Sequence, residues 1–155
     1  YCFQSEILSE QELAVQIERA HRYASPNLIF IGEIRTRFAA LEVLRVALGS
    51  SQQLVVATIH GLDIITALER LLNWARELDG NAAQNLANSL LAVIHQELHL
   101  DNGKRVLRIP QFLLVPFSES AKAIRSKIRE GQLHSLGDDM REQRNRILYN
   151  RGLDK

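Results

Sequence analysis

The chain has 155 residues, enough for one domain or one domain with a small appendage, and its 46% hydrophobic and 24% charged residues fall in the range of a soluble globular protein. A net charge of +1 exerts no general pull toward nucleic acid, the single Cys2 excludes an internal disulfide framework, and no apolar run is long enough to cross a bilayer as a helix. Glu6, Glu10, Glu12 and Glu18 stand where a targeting peptide needs its apolar core, and a start without Met suggests a fragment.

Ser9 followed by Glu12 forms a capping box, after which Leu13, Ile17, Ala20 and Ala24 recur at helical spacing until Ser25-Pro26 closes the segment. LIFI then reads as a strand. It is a short apolar run without polar alternation, which predicts cover on both faces as in a parallel sheet flanked by helices, and it ends in Gly32-Glu33-Ile34-Arg35. Phe38, Leu41, Leu44 and Leu48 mark a second helix that stops at Gly49-Ser50-Ser51. LVVATIH, residues 54–60, is a second β-branched run, ending in His60-Gly61. Strand, helix and strand at this spacing make a right-handed crossover, so Glu33 and His60 are expected at the same edge of neighbouring parallel strands.

Ile65, Leu68, Leu72, Ala75 and Leu78 predict a third helix ending near Asp79-Gly80, and Leu86, Leu90, Val93 and Ile94 a fourth. Asp101-Asn102-Gly103 is a turn signal between HQELHL and KRVLRI, and QFLLV is a candidate third strand before Pro116. From Ser118 the pattern is helical again, with Ala121, Ile124 and Ile128 on one face and Gly131 just past the end. A last helix is expected from about Asp138 to Tyr149, and a seam between two parts of the chain in residues 79–85.

Three constellations carry possible chemistry. A carboxylate at a strand end can orient and deprotonate a water, and a neighbouring imidazole can hydrogen-bond an anionic group, so Glu33 with His60 is the leading pair; the competing reading is an edge Glu and a satisfied His. HQELH, residues 95–99, would suit zinc only on a helix; its Glu does not adjoin the first His, no third ligand follows, and a turn is near, so a metal site is rejected. The basic residues Lys122 to Arg129, and Arg141, Arg144, Arg146 and Arg151, read as solvated helix faces or as partner surfaces; without interleaved aromatics they do not make a nucleic-acid site.

Together these segments resemble the PilT-type ATPases of the secretion-ATPase superfamily, which powers retraction of type IV pili and has relatives in type II and type IV secretion and in conjugation. SPNLIFIGEIR resembles that family's Walker B segment, which implies that Glu33 activates the hydrolytic water. LVVATIH resembles its His box, which makes His60 a γ-phosphate sensor, with Arg35 grouped beside it in nucleotide sensing. SLLAVIHQ resembles the start of the family's carboxy-terminal region. AIRSKIRE is close to the AIRNLIRE motif of the retraction branch and differs at Ser126-Lys127; it brings Ala123, Ile124, Arg125, Ile128, Arg129 and Glu130 into the candidate set. Ala123 and Ile124 are expected inside beside Ile128, and Arg125 and Arg129 outside together, facing a neighbouring subunit or partner.

The resemblance implies an α/β fold: residues 1–80 as the C-terminal part of a RecA-like P-loop NTPase core, and 81–155 as a mostly helical region with a small hairpin. It further implies ATP and Mg2+, a homo-hexamer, and a peripheral position at the cytoplasmic face of an inner membrane against a platform protein, without specific nucleic acid. The 155 residues contain no Gly-rich loop ending in Gly-Lys-Ser/Thr, so the phosphate loop and the Mg2+ ligand are expected elsewhere. Thr36 stands where the family has an acidic residue, Gln52-Gln53 where it has Gly-His, and Gly61 where a hydroxyl residue follows the His. An ATPase of a conjugative or type IV secretion system, and a non-catalytic module binding such a machine, are the alternatives.

Overall fold

The computed structural model describes residues 4, 6, 7, 9–20, 26–49 and 53–152, with backbone alone at residues 10, 11 and 150–152. Helix α1, Glu10–Arg19, starts where extended Ser9 turns its hydroxyl onto the amide of Glu12 at 3.2 Å, satisfying one donor that the first turn leaves open. Ala24 and Ser25, expected to complete this helix, lie outside the described residues.

Strands β1, Leu28–Ile31, and β2, Leu54–Ala57, pair in parallel with Leu28 beside Leu54 and Ile31 beside Ala57. Helix α2, Arg37–Gly49, is the crossover between them. Thr36 caps α2 by accepting from the Ala39 amide at 3.3 Å, which suits a hydroxyl residue at that position. The stripe that α2 buries is rotated from the expected one: Ala39, Ala40, Val43 and Val46 join Leu41 and Leu44 inside, while Phe38 and Leu48 are exposed. Phe38 lies under the Arg37 guanidinium instead, 5.3 Å from ring centre to carbon.

The expectation of a sheet covered on both faces is not met among the described residues. Ile29 and Ile31 enter the core, but Leu28, Leu54 and Val56 are exposed and Phe30 is 65% exposed, because the described helices cover only one side of this two-stranded sheet. The apolar run therefore has one satisfied and one open face.

Helix α3, Ile64–Arg76, begins with a reciprocal cap: the Asp63 carboxylate accepts from the Thr66 amide at 2.7 Å, and the Thr66 hydroxyl accepts from the Asp63 amide at 3.1 Å. Leu68, Leu71, Leu72 and Ala75 bury its inner face. Helix α4, Ala82–Ser89, is shorter than expected, and Leu90 is already extended. Val93 and Ile94 are not helical; they belong to strand β3, Ala92–Asp101, in which alternate residues are exposed. Period two prevails here over a weak helical spacing, since the β-branched pair and the alternating HQELHL suit a pleated strand.

Strand β4, Lys104–Leu114, pairs antiparallel with β3. At the turn Asn102 and Gly103 both have positive φ, 49° and 77°, as a two-residue type I′ hairpin requires. QFLLV is no third strand: its first four residues complete β4, and Val115 follows just past the end. The register shifts between His95–Gln111 and Glu97–Arg108, so Ile109 and Pro110 bulge opposite Gln96, and Pro110, which lacks an amide hydrogen, falls where pairing is interrupted.

Helix α5, Lys122–Arg129, follows a short 3-10 turn at Glu119–Ala121. It ends in a Schellman motif: Gln132 donates to the Lys127 carbonyl at 2.8 Å, Gly131 donates to that of Ile128 at 3.1 Å, and Gly131 has φ 74°. Helix α6, Leu136–Gly152, starts earlier and runs further than expected. Its Gln143 amide donates to the Leu114 carbonyl and accepts from the Leu114 amide, both at 2.9 Å, fastening α6 to the outer edge of β4. Leu72, Leu113, Val115, Ile128 and Leu136 are fully buried and belong to one core with Ile31, Leu44 and Ile64, so the apolar interior is continuous across residues 79–85.

Candidate active site

Backbone pairing continues past the ends of β1 and β2. The Ile34 amide donates to the Thr58 carbonyl at 2.8 Å, the Thr58 amide to Ile31 at 3.3 Å, and the Thr58 hydroxyl to the Gly32 carbonyl. Ile34 is buried and anchors this loop, while Glu33, one residue before it, stays near the surface. The structure thus brings Glu33 and His60 together from adjacent strands, with Glu33 Oε1 2.9 Å from His60 Nε2. Glu33 Oε2 accepts from Arg35 Nε at 2.6 Å and lies 2.5 Å from its Nη2.

The Glu33 side chain is 20% exposed, against 74% for Arg35 and 84% for His60, so the carboxylate sits low with two nitrogen-bearing side chains open to solvent beside it. The hydrogen bond from Arg35 holds the Glu33 pKa below the usual carboxylate value; partial burial opposes this and loses, and the charges of Arg35 and His60 add to the lowering. The Arg35 pKa is raised in turn by its bond to Glu33. A carboxylate held ionised between two donors can accept a proton from water, and an exposed imidazole can donate to an anion.

Two supports of this site escaped the sequence reading. Arg70 of α3 donates through Nη1 to the His60 carbonyl at 2.7 Å, fixing the backbone under the imidazole. Gly61 passes so close to α3 that a Cβ there would lie 2.7 Å from Ala67 Cβ, which explains why no hydroxyl residue follows the His. The Gly61 departure was legible in the sequence, but its cause lies in α3 packing.

The AIRSKIRE helix departs from expectation on its polar side. Ile124 and Ile128 are buried, but Ala123 is exposed. Arg125 does not face outward with Arg129. Its guanidinium turns inward and donates to the carbonyls of Ala87, of Val115 at 2.6 Å, and of Leu90 and Pro116 at 3.3 Å, lying 4.5 Å from the Phe117 ring centre. Burial pulls its pKa below the usual arginine value. The reason is the end of α4, whose last carbonyls lack helical partners and attract a cation. Arg129 is exposed, Glu130 accepts from the Ser126 hydroxyl at 2.7 Å, and Lys127 pairs with Asp139 at 2.6 Å.

HQELH lies in β3. His99 and His95 both bond Glu97, at 2.8 and 3.3 Å, and this lowers the Glu97 pKa, His99 contributing most. Among the described residues no three His, Cys, Asp or Glu side chains form a group able to hold a metal ion. Arg141 pairs with Asp138, and Arg146 with Glu142 at 2.5 Å, as expected of a solvated helix face.

A carboxylate and an imidazole thus meet at the ends of neighbouring parallel strands, the edge at which open α/β sheets bind ligands. Residues 4–134 match the model of the Type II/IV secretion system protein family, and the chain belongs to that family. Among solved structures it is similar to the pilus retraction motor PilT with bound ADP, at 28% identity and a TM-score of 0.68, over 84% of this chain and 36% of that one. The Yersinia pseudotuberculosis ATPase DotB shares the fold at 22% identity and a TM-score of 0.67, over 89% of this chain and 36% of that one. The Legionella pneumophila ATPase DotB does so at 20% and 0.65, over 83% and 35%. The chain thus spans little more than a third of these structures. No curated protein matches it. Among the described residues no helix is long and apolar enough to cross a membrane.

Proposed function

We propose that the intact protein is a hexameric ATPase at the cytoplasmic face of an inner membrane that uses Mg-ATP to drive retraction of a type IV pilus against a platform protein. Residues 1–80 are assigned to its RecA-like core and 81–155 to its carboxy-terminal region. The observation that carries this reading is the 2.9 Å contact of Glu33 with His60 at the ends of parallel strands, where α/β sheets bind ligands. The retraction assignment draws on AIRSKIRE and on the likeness to PilT.

In hydrolysis Glu33 takes a proton from the attacking water as its oxygen bonds to the γ-phosphorus and the bond to the bridging oxygen breaks, releasing ADP and phosphate. His60 donates to the γ-phosphate and, with Arg35, reports its presence. The described residues fit this half of the task only. The 155 residues contain no Gly-rich loop ending in Gly-Lys-Ser/Thr, so the phosphate loop and the hydroxyl that would hold Mg2+ are assigned to sequence outside this chain.

The test is Glu33→Gln in the full-length protein that carries this segment. ATP binding should persist while turnover falls at least ~100-fold, the scale for loss of a positioned general base. Lost nucleotide binding with normal turnover per bound ATP would make Glu33 structural and overturn the assignment.

A further inference from the structure

The parallel ladder slips by one residue where it reaches Glu33. Leu54, whose register partner is Leu28, donates its amide to the residue before that partner, the Asn27 carbonyl, at 2.8 Å. Continued one step past Ile31 and Ala57, the same register sets Thr58 beside Gly32, and the Thr58 amide donates to the Ile31 carbonyl at 3.3 Å. A regular parallel strand would next present the Glu33 amide to the Thr58 carbonyl. The Ile34 amide fills that place instead, at 2.8 Å, so Gly32 and Glu33 together oppose Thr58 as a bulge. An extra residue of this kind re-aims a side chain, and the side chain here is the carboxylate that reaches His60 at 2.9 Å. The Gly32 carbonyl takes no part in the backbone ladder; it accepts from the Thr58 hydroxyl.

We infer that Thr58 is a positioning residue, whose hydroxyl holds the Gly32-Glu33 bulge in the shape that sets the Glu33 carboxylate against His60. This rests on the reading of Glu33 as the water-activating base. Thr58 takes hold of the chain on both sides of Glu33: the carbonyl before it through the hydroxyl, and the amide after it through its own carbonyl. It also stands two residues before His60, so one short segment carries the sensing imidazole and grips the base. The two backbone bonds would survive any residue at this position, but the bond to Gly32 needs a hydroxyl. Because that bond is exposed, water can replace it, and its loss bears on where the carboxylate sits more than on whether the chain folds.

The test measures ATP turnover of the full-length protein with Thr58→Val, Thr58→Ser, Glu33→Gln and the double variant Thr58→Val/Glu33→Gln. Val keeps the shape of Thr and removes the hydroxyl. Since a misplacement near 1 Å can cost about 100-fold, Thr58→Val should lower kcat by about 10- to 100-fold with KM for ATP within about twofold of wild type. Thr58→Ser restores the donor and should return kcat to within about threefold of wild type. In the Glu33→Gln background Thr58→Val should cost no more than about twofold, because the group it positions is already gone. Should Thr58→Val not fold, Thr58→Ser against Thr58→Ala carries the same comparison, as that pair also differs by the hydroxyl alone. A kcat for Thr58→Val near that of wild type, no rescue by Thr58→Ser, or an equal fall in the Glu33→Gln background overturns the role of Thr58 and leaves Glu33 as the base. Near-normal turnover of Glu33→Gln overturns the underlying reading and the role of Thr58 with it.

Discussion

Replacing Arg125 by Ala should destabilise the protein although the residue lies on a basic, partly exposed helix. The side chain makes two direct bonds, to the carbonyls of Val115 and Ala87, two longer ones to Leu90 and Pro116, and a stack on Phe117. A hydrogen bond to a charged group contributes about 1.5–3 kcal/mol, and a cation over an exposed ring about 0.5–1 kcal/mol. Water reaches the freed carbonyls in part, so we count about 1–1.5 kcal/mol for each of the two direct bonds, neglect the longer ones, and with the stack arrive at about 2.5–4 kcal/mol. For a chain of this size each kcal/mol moves Tm by about 2–4 °C, which gives a fall of roughly 5–15 °C. Thermal unfolding by circular dichroism, with Arg129→Ala as the exposed control expected within about 0.5 kcal/mol of wild type, makes the comparison. A melt of Arg125→Ala within about 2 °C of wild type would refute the inward clamp and restore the partner-facing reading of this arginine.

Two further stability outcomes follow from the same helix. Ile128 is fully buried, so Ile128→Ala should cost about 2–5 kcal/mol in urea unfolding through the cavity it leaves; a loss under about 1 kcal/mol would mean that the site collapses around the gap. Gly131 holds φ 74° at the end of α5, where a Cβ would also meet Arg76 Nη2 at 3.1 Å; Gly131→Ala should therefore destabilise by roughly 1 kcal/mol, and an unchanged urea midpoint would contradict the Schellman geometry.

The parts of the fold that the sequence announced are those decided locally. Ser9 before Glu12, Asn102-Gly103, and Gly131 after a helical run each solve a backbone problem within a few residues, and the structure uses them so. The parallel pair was legible because two β-branched runs lie one helix apart. What was not legible depends on distant neighbours. Phe38 and Leu48 fit a helical stripe as well as Ala39 and Val46 do, and only the packing of α2 decides which side turns in. Val93 and Ile94 continue the spacing of α4 on paper, but their partners Leu113 and Phe112 lie beyond the turn and draw them into a strand. The same holds at the site: the convergence of Glu33 and His60 follows from topology, while the Arg35 grip, the Arg70 support and the inward turn of Arg125 depend on side-chain placements that no spacing rule contains.

Gln143 has a consequence for how this protein avoids its own kind. Strand β4 runs along an open side of a two-stranded hairpin, and exposed Leu107, Ile109 and Leu114 make that side attractive to any extended chain looking for a partner. An incoming strand would need the outward amide and carbonyl of Leu114, but a side-chain amide from α6 already fills both and imitates one residue of a neighbouring strand. Four residues earlier Pro110 has no amide hydrogen to give, within a bulge that twists the ladder. The edge is thus interrupted at two points by a decoy and a missing donor, which disfavours pairing with another extended chain there.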